Sequence, residues 1–456
     1  MNIIIVVTDS FRRDHLGCYG SKTVRTPHLD RFAESALLFK NYYPASLPTV
    51  PNRHDLFSGR FTFPYSGWEP MPRNETTLAE MLGQAGYTSM LVADTPHALA
   101  SGMNYHRGFT AWELIRGQEG DPFWTTEKPL PLPCSAGKLR GGARTMSQHL
   151  RNASRWRSDE DTFVARTMRR ASEWLVENCR RDKFFLYVDT FDPHEPWMAP
   201  QSYIDLYDPG YEGERVLYPR YRKADYLSAR ELQHMRAEYA AEATLVDRWI
   251  GHLLDQVESL GLRESTAIFI TADHGFLLGE HNYTGKSIIE PDERRSIHCY
   301  EALVAAPLLA CVPGGPAGKS VAAMCSTPDI AATVLDLCGV KPHPQVQGKS
   351  FRDVLEGSAS RCRPFIVTAV GFPTQGPGSS PGIATAMLND GRYTYLYGGT
   401  DERPELYDLR DDPEQKKNLI RKDTARARAM HKKFIRWLEE IESPKQHIEA
   451  RIDPGF

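Results

Sequence analysis

Residues 2–7, Asn-Ile-Ile-Ile-Val-Val, put apolar β-branched side chains on both faces of an extended chain. Such a strand has to be covered on both sides, which is the situation of an interior strand in a parallel sheet flanked by helices. The same texture returns at 88–92, 184–188 and 266–271. Helical patterns lie between these runs. Thr77-Leu78-Ala79-Glu80 reads as a capping box opening a short helix, with Leu78, Met81, Leu82 and Ala85 on one face and a stop at Gly86. A helix over about 160–179 carries Val164, Met168, Ala171 and Leu175 on one side. Ser228-Ala229-Arg230-Glu231 opens a long one with Leu232, Met235, Tyr239, Val246, Leu253 and Val257, and Thr327-Pro328 starts another that ends at Gly339. This alternation predicts an α/β sandwich around a large, mostly parallel sheet.

Two stretches break the pattern. Over 115–156 the periodicity fails and Gly, Pro, Ser and Arg dominate, which reads as a long surface excursion of the kind that shapes active sites. Beyond about residue 357, short runs at 365–369, 385–388 and 393–397 alternate with turn residues, and an amphipathic helix follows over about 424–441. That predicts a smaller antiparallel sheet covered by one helix. The expected organisation is a catalytic domain over 1–356 with an insertion at 115–156, and a C-terminal subdomain over 357–456 that walls the pocket.

Charge narrows the choice of ligands. The 55 Lys and Arg nearly balance the 58 Asp and Glu, and a net charge of -3 gives no general attraction to nucleic acid or to an anionic membrane. An anionic ligand has to be gripped locally. The longest apolar stretches, 3–7 and the proline-interrupted 302–312, fall far short of the roughly 18 residues of a membrane span. The eight cysteines are scattered, without a Cys-x-x-Cys pair or a zinc-type His/Cys cluster, as expected of reduced thiols. The first apolar run begins at the third residue and leads straight into Thr8-Asp9-Ser10, unlike a secretory signal. The expectation is a cytoplasmic enzyme with no nucleic-acid or membrane partner, whose long excursion is a candidate contact in a homo-oligomer.

In open α/β sheets, ligands sit beyond the C-terminal ends of the strands. Three ends are rich in donors: Asp9-Ser10, Asp273-His274-Gly275, and the segment Asp189-Thr190-Phe191-Asp192-Pro193-His194. Carboxylates and an imidazole converging from separate strands suit an oxygen-rich divalent metal site.

These ends belong to a longer ordered set. It includes Gly17-Cys18-Tyr19-Gly20, Thr26-Pro27-His28-Leu29-Asp30, His194-Glu195-Pro196-Trp197, Gly279-Glu280-His281, Gly285-Lys286 and Glu405-Leu406-Tyr407-Asp408-Leu409. The set resembles the sulfatase branch of the alkaline phosphatase-like superfamily, including its phosphonate monoester hydrolase relatives. The resemblance implies that family's sandwich fold and a metal-dependent ester hydrolase acting on a small anionic ester. It also implies one divalent ion, with Asp9, Asp273 and His274 as ligands and the Thr49 hydroxyl as the fourth. Ser10 stands where relatives have an Asp or Gln ligand. One imidazole among oxygens favours Mn²⁺, Ca²⁺ or Mg²⁺ over zinc.

In the family the nucleophile lies in Cys/Ser-x-Pro-x-Arg, before a helix ending in Thr-Gly-Arg, and is oxidised to formylglycine. Here the frame reads Thr49-Val50-Pro51-Asn52-Arg53, then Leu56-Phe57-Ser58-Gly59-Arg60. The methyl on the threonine β-carbon means that oxidation would give a ketone, so formylglycine cannot form. A plain threonine ester has to be opened by water at phosphorus or sulfur, and this favours phosphate or phosphonate mono- and diesters. By resemblance, Arg53 orients Thr49, while His194 and Lys286 hold non-bridging oxygens, with His194 also placed to protonate the leaving oxygen. In place of the family's Gly-Lys-x-His, this chain has Ala93-Asp94-Thr95-Pro96-His97. His97 then takes the histidine role, and Asp94, Tyr105 and Arg116 are candidates to contact the substrate. A sulfate ester hydrolase working without formylglycine and a non-catalytic binding protein on the same fold are the alternatives.

Overall fold

The computed structural model describes residues 1–373, 383–400 and 402–456. Its centre is the strand Asn2–Thr8, buried along its whole length as its two apolar faces require. Thr266–Ala272 and Phe184–Thr190 flank it in parallel register. The sheet continues through Thr88–Ala93 to Ala111–Leu114 at one edge, and through Leu308–Cys311 and Leu37–Tyr43 to Lys319–Ser326 at the other. Among these eight strands, only Leu308–Cys311 runs against its neighbours. The mostly parallel sheet expected from the sequence is therefore the one observed.

The capping boxes form as read, at Thr77–Glu80 and Ser228–Glu231, the latter opening the helix Ala229–Ser259. That helix packs on Phe163–Asn178, and Thr49–Ser58 packs on Thr327–Leu337. Both pairs share one apolar core with the sheet, including Ile5, Val50, Phe57, Met168, Ile250 and Ile330. Among the described residues, no helix is long and apolar enough to cross a membrane.

The C-terminal sheet is ordered Glu405–Asp408, Tyr393–Tyr397, Ala386–Asn389, Ile366–Val370 and then Ser46–Leu47. The helix Thr424–Glu440 covers one face, burying Met430, Phe434, Trp437 and Leu438 against Val367, Leu388, Tyr395 and Leu406. The last strand comes from far away in sequence and pairs in parallel with Ala369 and Val370. It ends two residues before the helix Thr49–Ser58, so the smaller sheet holds the approach to Thr49.

The excursion over 115–156 is more ordered than its sequence predicts, because it contains the helix Ala143–Ala153. The helix escapes a reading based on apolar periodicity because His149 and Asn152 occupy its buried face beside Met146 and Ala153. Asn152 earns its burial by donating to the carbonyls of Gly117 (2.7 Å) and Asp121 (2.8 Å).

Asp55 ties the helix Thr49–Ser58 to its surroundings. Its buried carboxyl accepts from Ser46 N–H (2.7 Å), Ser46 Oγ (2.8 Å), Thr62 N–H (2.8 Å) and Thr62 Oγ1 (2.7 Å). Asp55→Ala strands these donors in a dry interior and should cost about 3 kcal/mol of stability. Urea unfolding of the variant measures it, and a loss below about 1 kcal/mol would contradict the role assigned to Asp55.

Candidate metal centre and active site

The strand ends meet as the topology requires. After Asp9 the chain turns through Ser10 at φ +62°, a left-handed conformation unusual for a residue with a side chain. Tyr239 holds it there, its hydroxyl donating to the Ser10 carbonyl (2.7 Å) and accepting from Arg12 N–H (2.8 Å). Ser10 N–H in turn donates to Asp273 Oδ1 (2.9 Å), locking the two strand ends together. Gly275 is obligatory beyond them, since a Cβ there would lie 2.2 Å from the Ala302 carbonyl oxygen.

Asp9, Asp273 and His274 are all buried, and each offers a ligand atom within 4.8 Å of the others. His274 Nδ1 donates to the Gly275 carbonyl (2.8 Å), which turns the Nε2 lone pair toward the carboxylates, 3.5 Å from Asp273 Oδ2. Burial lowers the pKa of His274 to about 3, so the ring is neutral. Burial pushes both carboxyls up. At Asp9 the charges of Lys286 and Arg53 overcome this and hold it well below the usual range. At Asp273, repulsion from Asp9 adds to burial and leaves it well above. Two buried carboxyls that cannot both ionise unaided, beside a neutral imidazole, are a donor set that fits a divalent cation. Ser10 Oγ donates to Asp9 Oδ1 (2.8 Å) and accepts from Lys286 Nζ (3.1 Å), so it links the cluster to its cation.

Lys286 reaches this point because Gly285 sits at φ +95°, where a Cβ would strike the Tyr221 ring at 2.4 Å. Its Nζ lies 3.6 Å from Asp9 Oδ1 and 3.4 Å from His274 Nε2.

Arg53 is buried beneath the cluster, one helical turn after Thr49. Its Nε and Nη2 bind Asp189 as a fork (3.1 and 2.8 Å), and Nη1 donates to Asp9 (3.3 Å), to Asp273 and to the Thr49 carbonyl (3.2 Å). Three carboxylates thus converge on one guanidinium. Thr49 is the first residue of its helix; Pro48 is the N-cap and no side-chain cap bond forms. Among the described residues the Thr49 hydroxyl makes no hydrogen bond, and the residue lines a cavity of about 420 Å³.

His97, His194, His274 and Lys286 line the same cavity. His194 Nδ1 donates to the Glu195 carbonyl (2.6 Å) and its ring stacks on Phe191. Burial, reinforced by Lys286, holds its pKa well below normal, so the ring is neutral with Nε2 as its free acceptor. His97 Nε2 lies 3.1 Å from Glu119 Oε2.

Three residues expected at the substrate lie elsewhere. Asp94 is buried behind the strand ends, its carboxyl taken by Thr167 Oγ1 (2.7 Å), Thr190 Oγ1 (3.0 Å) and Phe191 N–H, so it shapes the turn leading to His194. Tyr105 is fully buried against Phe57 and His54, with its hydroxyl on the Glu69 carbonyl (3.1 Å). Arg116 forks onto Asp121 (2.7 and 2.6 Å) outside the cavity lining.

Sequence reasoning missed Asp189 as the anchor of Arg53, although its place at a strand end was a usable signal. It also missed Glu119 and Arg140, which the excursion brings to the cavity wall. Arg140 donates to Glu119 Oε1 (2.6 Å) and Tyr218 Oη, lies 3.1 Å from Glu195, and covers the Tyr218 and Tyr221 rings. Burial pushes Glu119 up, but the hydrogen bond from His97 and the charges of His97 and Arg140 hold it well below the usual range. No local pattern marks either residue.

Comparison with known proteins agrees with this geometry. The C-terminal family described as N-sulphoglucosamine sulphohydrolase, C-terminal, matches residues 292–443. An N-acetylglucosamine-6-O-sulfatase of Bacteroides thetaiotaomicron is 24% identical over 506 residues, covering 97% of this chain and 86% of that one. An ulvan-active sulfatase of Formosa agariphila is 26% identical over 444 residues, covering 92% and 77%. Among solved structures, the phosphonate monoester hydrolase of Agrobacterium radiobacter shares the fold with a TM-score of 0.74 at 20% identity, covering 98% of this chain and 96% of that one. The phosphonate monoester hydrolase of Silicibacter pomeroyi gives 0.73 at 22% identity, covering 97% and 96%. The Sulfatase family itself matches residues 1–340, about three quarters of the chain and every residue of the cluster just described, and the protein belongs to that family of hydrolases.

Proposed function

We propose that the chain hydrolyses phosphate or phosphonate esters with Thr49 as an unmodified nucleophile. The observation that carries this reading is the placement of Thr49 at a helix N-terminus on the cavity wall, uncommitted to capping, above Arg53 and beside Lys286 and two neutral histidines. A helix N-terminus favours both a developing alkoxide and a bound anion.

Thr49 Oγ attacks phosphorus, the bond from phosphorus to the leaving oxygen breaks, and a phosphorylated or phosphonylated threonine forms. His194 Nε2 accepts the hydroxyl proton and returns it to the leaving oxygen. Water then attacks phosphorus, the bond from phosphorus to Thr49 Oγ breaks, and the proton given up by the water passes to the released Thr49 oxygen. Lys286 balances charge on the non-bridging oxygens, while Arg53 holds the Thr49 backbone through its carbonyl. A divalent ion held by Asp9, Asp273 and His274 would polarise the ester and lower the pKa of the Thr49 hydroxyl.

A second reading, sulfate ester hydrolysis without formylglycine, draws on the curated relatives, which are named sulfatases. The covalent intermediate separates the two. Brief turnover of an aryl phosphate followed by acid quench and peptide mass spectrometry should find phosphate on Thr49. Thr49→Ala should lower kcat by on the order of 10³-fold or more, with Thr49→Ser retaining part of the activity. Turnover of aryl sulfate with no cleavage of phosphate or phosphonate esters would overturn the first reading.

Metal content gives an independent check. The purified protein should carry one divalent ion per chain by elemental analysis, and His274→Ala should bind it on the order of 10²-fold more weakly. A metal-free wild-type protein that still cleaves esters in the presence of chelator would refute the assignment.

A further inference from the structure

Lys286 opens a two-stranded hairpin, Ser287–Glu290 paired with Glu293–Ser296. The register opposes Ser287 to Ser296 and Ile289 to Arg294, and these four residues, on one face of the ribbon, all line the cavity. The ribbon is fixed from outside: Ile289 N–H donates to the Tyr221 carbonyl (2.9 Å), Arg220 Nε to Glu290 (3.0 Å), and Arg295 Nη1 to Glu402 (2.5 Å).

Charge on the cavity wall is uneven. Among the described residues lining it, Glu119 is the one carboxylate, and it is engaged by His97 and Arg140. Arg140 is itself answered by Glu119 and Glu195, and Lys286 faces Asp9. Arg294 differs: among the described residues, none hydrogen-bonds or ion-pairs with its guanidinium. The same cavity offers apolar wall from Leu47, Pro48, Trp68, Ile289, Leu303 and Val370. An uncompensated arginine three ribbon positions from Lys286, in a cavity that also carries apolar wall, is matched by a substrate with a second anionic group.

We propose that Arg294 is a specificity-determining residue that reads a second oxyanion, carried by the leaving group on an apolar or aromatic body. This rests on the phosphoester reading above and adds the leaving group to it. Residues 289 and 294 lie three positions along the ribbon from Lys286, and at about 3.3 Å per residue the second oxyanion belongs roughly 10 Å from the group that Lys286 engages. Planar oxyanions accept two hydrogen bonds from a guanidinium, which lysine cannot reproduce.

The test uses two phosphonate monoesters of 4-hydroxybiphenyl, one with a 4′-carboxylate and one with a 4′-carboxamide. The pair match in shape and reactivity and differ in terminal charge. For the wild-type protein, kcat/KM should favour the carboxylate by about tenfold or more. The ratio should fall toward unity in Arg294→Ala, fall below unity in Arg294→Glu, and stay intermediate in Arg294→Lys. Cleavage of both esters with the same ratio in wild type and Arg294→Ala overturns the role of Arg294 and leaves the phosphoester reading standing. A wild-type protein that cleaves neither ester but turns over aryl sulfates overturns both.

Discussion

The site is organised around a single guanidinium with no access to solvent. Arg53 joins a helix to three strands, because its fork takes both oxygens of Asp189 while Nη1 meets Asp9, Asp273 and the Thr49 carbonyl. Remove that charge and three carboxylates remain buried with too few cations. Breaking a buried pair on one side costs about 3–5 kcal/mol, chiefly because the remaining charge is stranded. Burial alone would depress the pKa of Arg53, yet the three acids raise it well above normal, so its charge is fixed under all working conditions. Lysine would supply charge without the fork, and Asp189 would lose one of its two bonds.

This arrangement also explains how Thr49 is placed. The residue is four positions before Arg53, so the helix puts its carbonyl over the guanidinium it shares with the strand ends. From the other side, Ser46–Leu47 is stitched into the C-terminal sheet and Asp55 is bonded to Ser46 and Thr62. Thr49 is thus held between two sheets that sequence reading assigns to separate parts of the chain. Pre-organisation of this kind replaces solvent reorganisation at the moment of reaction.

Legibility followed local pattern. Asp9, Asp273 and His274 were readable because each follows an apolar run that can only be an interior strand, and such ends face ligands. The motif around Thr49 and Arg53 was readable through its fixed spacing on one helix. Asp94 has the same position at a strand end, but Thr167 from a helix distant in sequence consumes its carboxyl, and no local feature announces that. Tyr105 and Arg116 were placed by proximity in sequence to His97, and proximity failed: one went into the core and the other onto Asp121. Ser46–Leu47 is too short to read as a strand, and its partner is more than three hundred residues away. The helix Ala143–Ala153 hid because half of its buried face is polar.

To take the anionic ester proposed for it, a protein with a formal charge of -3 has to divide labour between floor and wall. On the floor, the charge of Arg53 is spent on three carboxylates, so it orients the site and adds little attraction for a ligand. Lys286 stands at the boundary, bonded to Ser10 and still lining the cavity, and it is the floor cation a ligand can meet. On the wall, Arg140 is answered by Glu119 and Glu195, which leaves Arg294 as the lining cation without an acid partner among the described residues. In the proposed reading, chemistry belongs to strand ends that are buried and charge-saturated, whereas selectivity belongs to a hairpin and an excursion whose sequences carry no period. The same fold can keep the first while the second changes, which is why the family was plain from motifs and the ester was not.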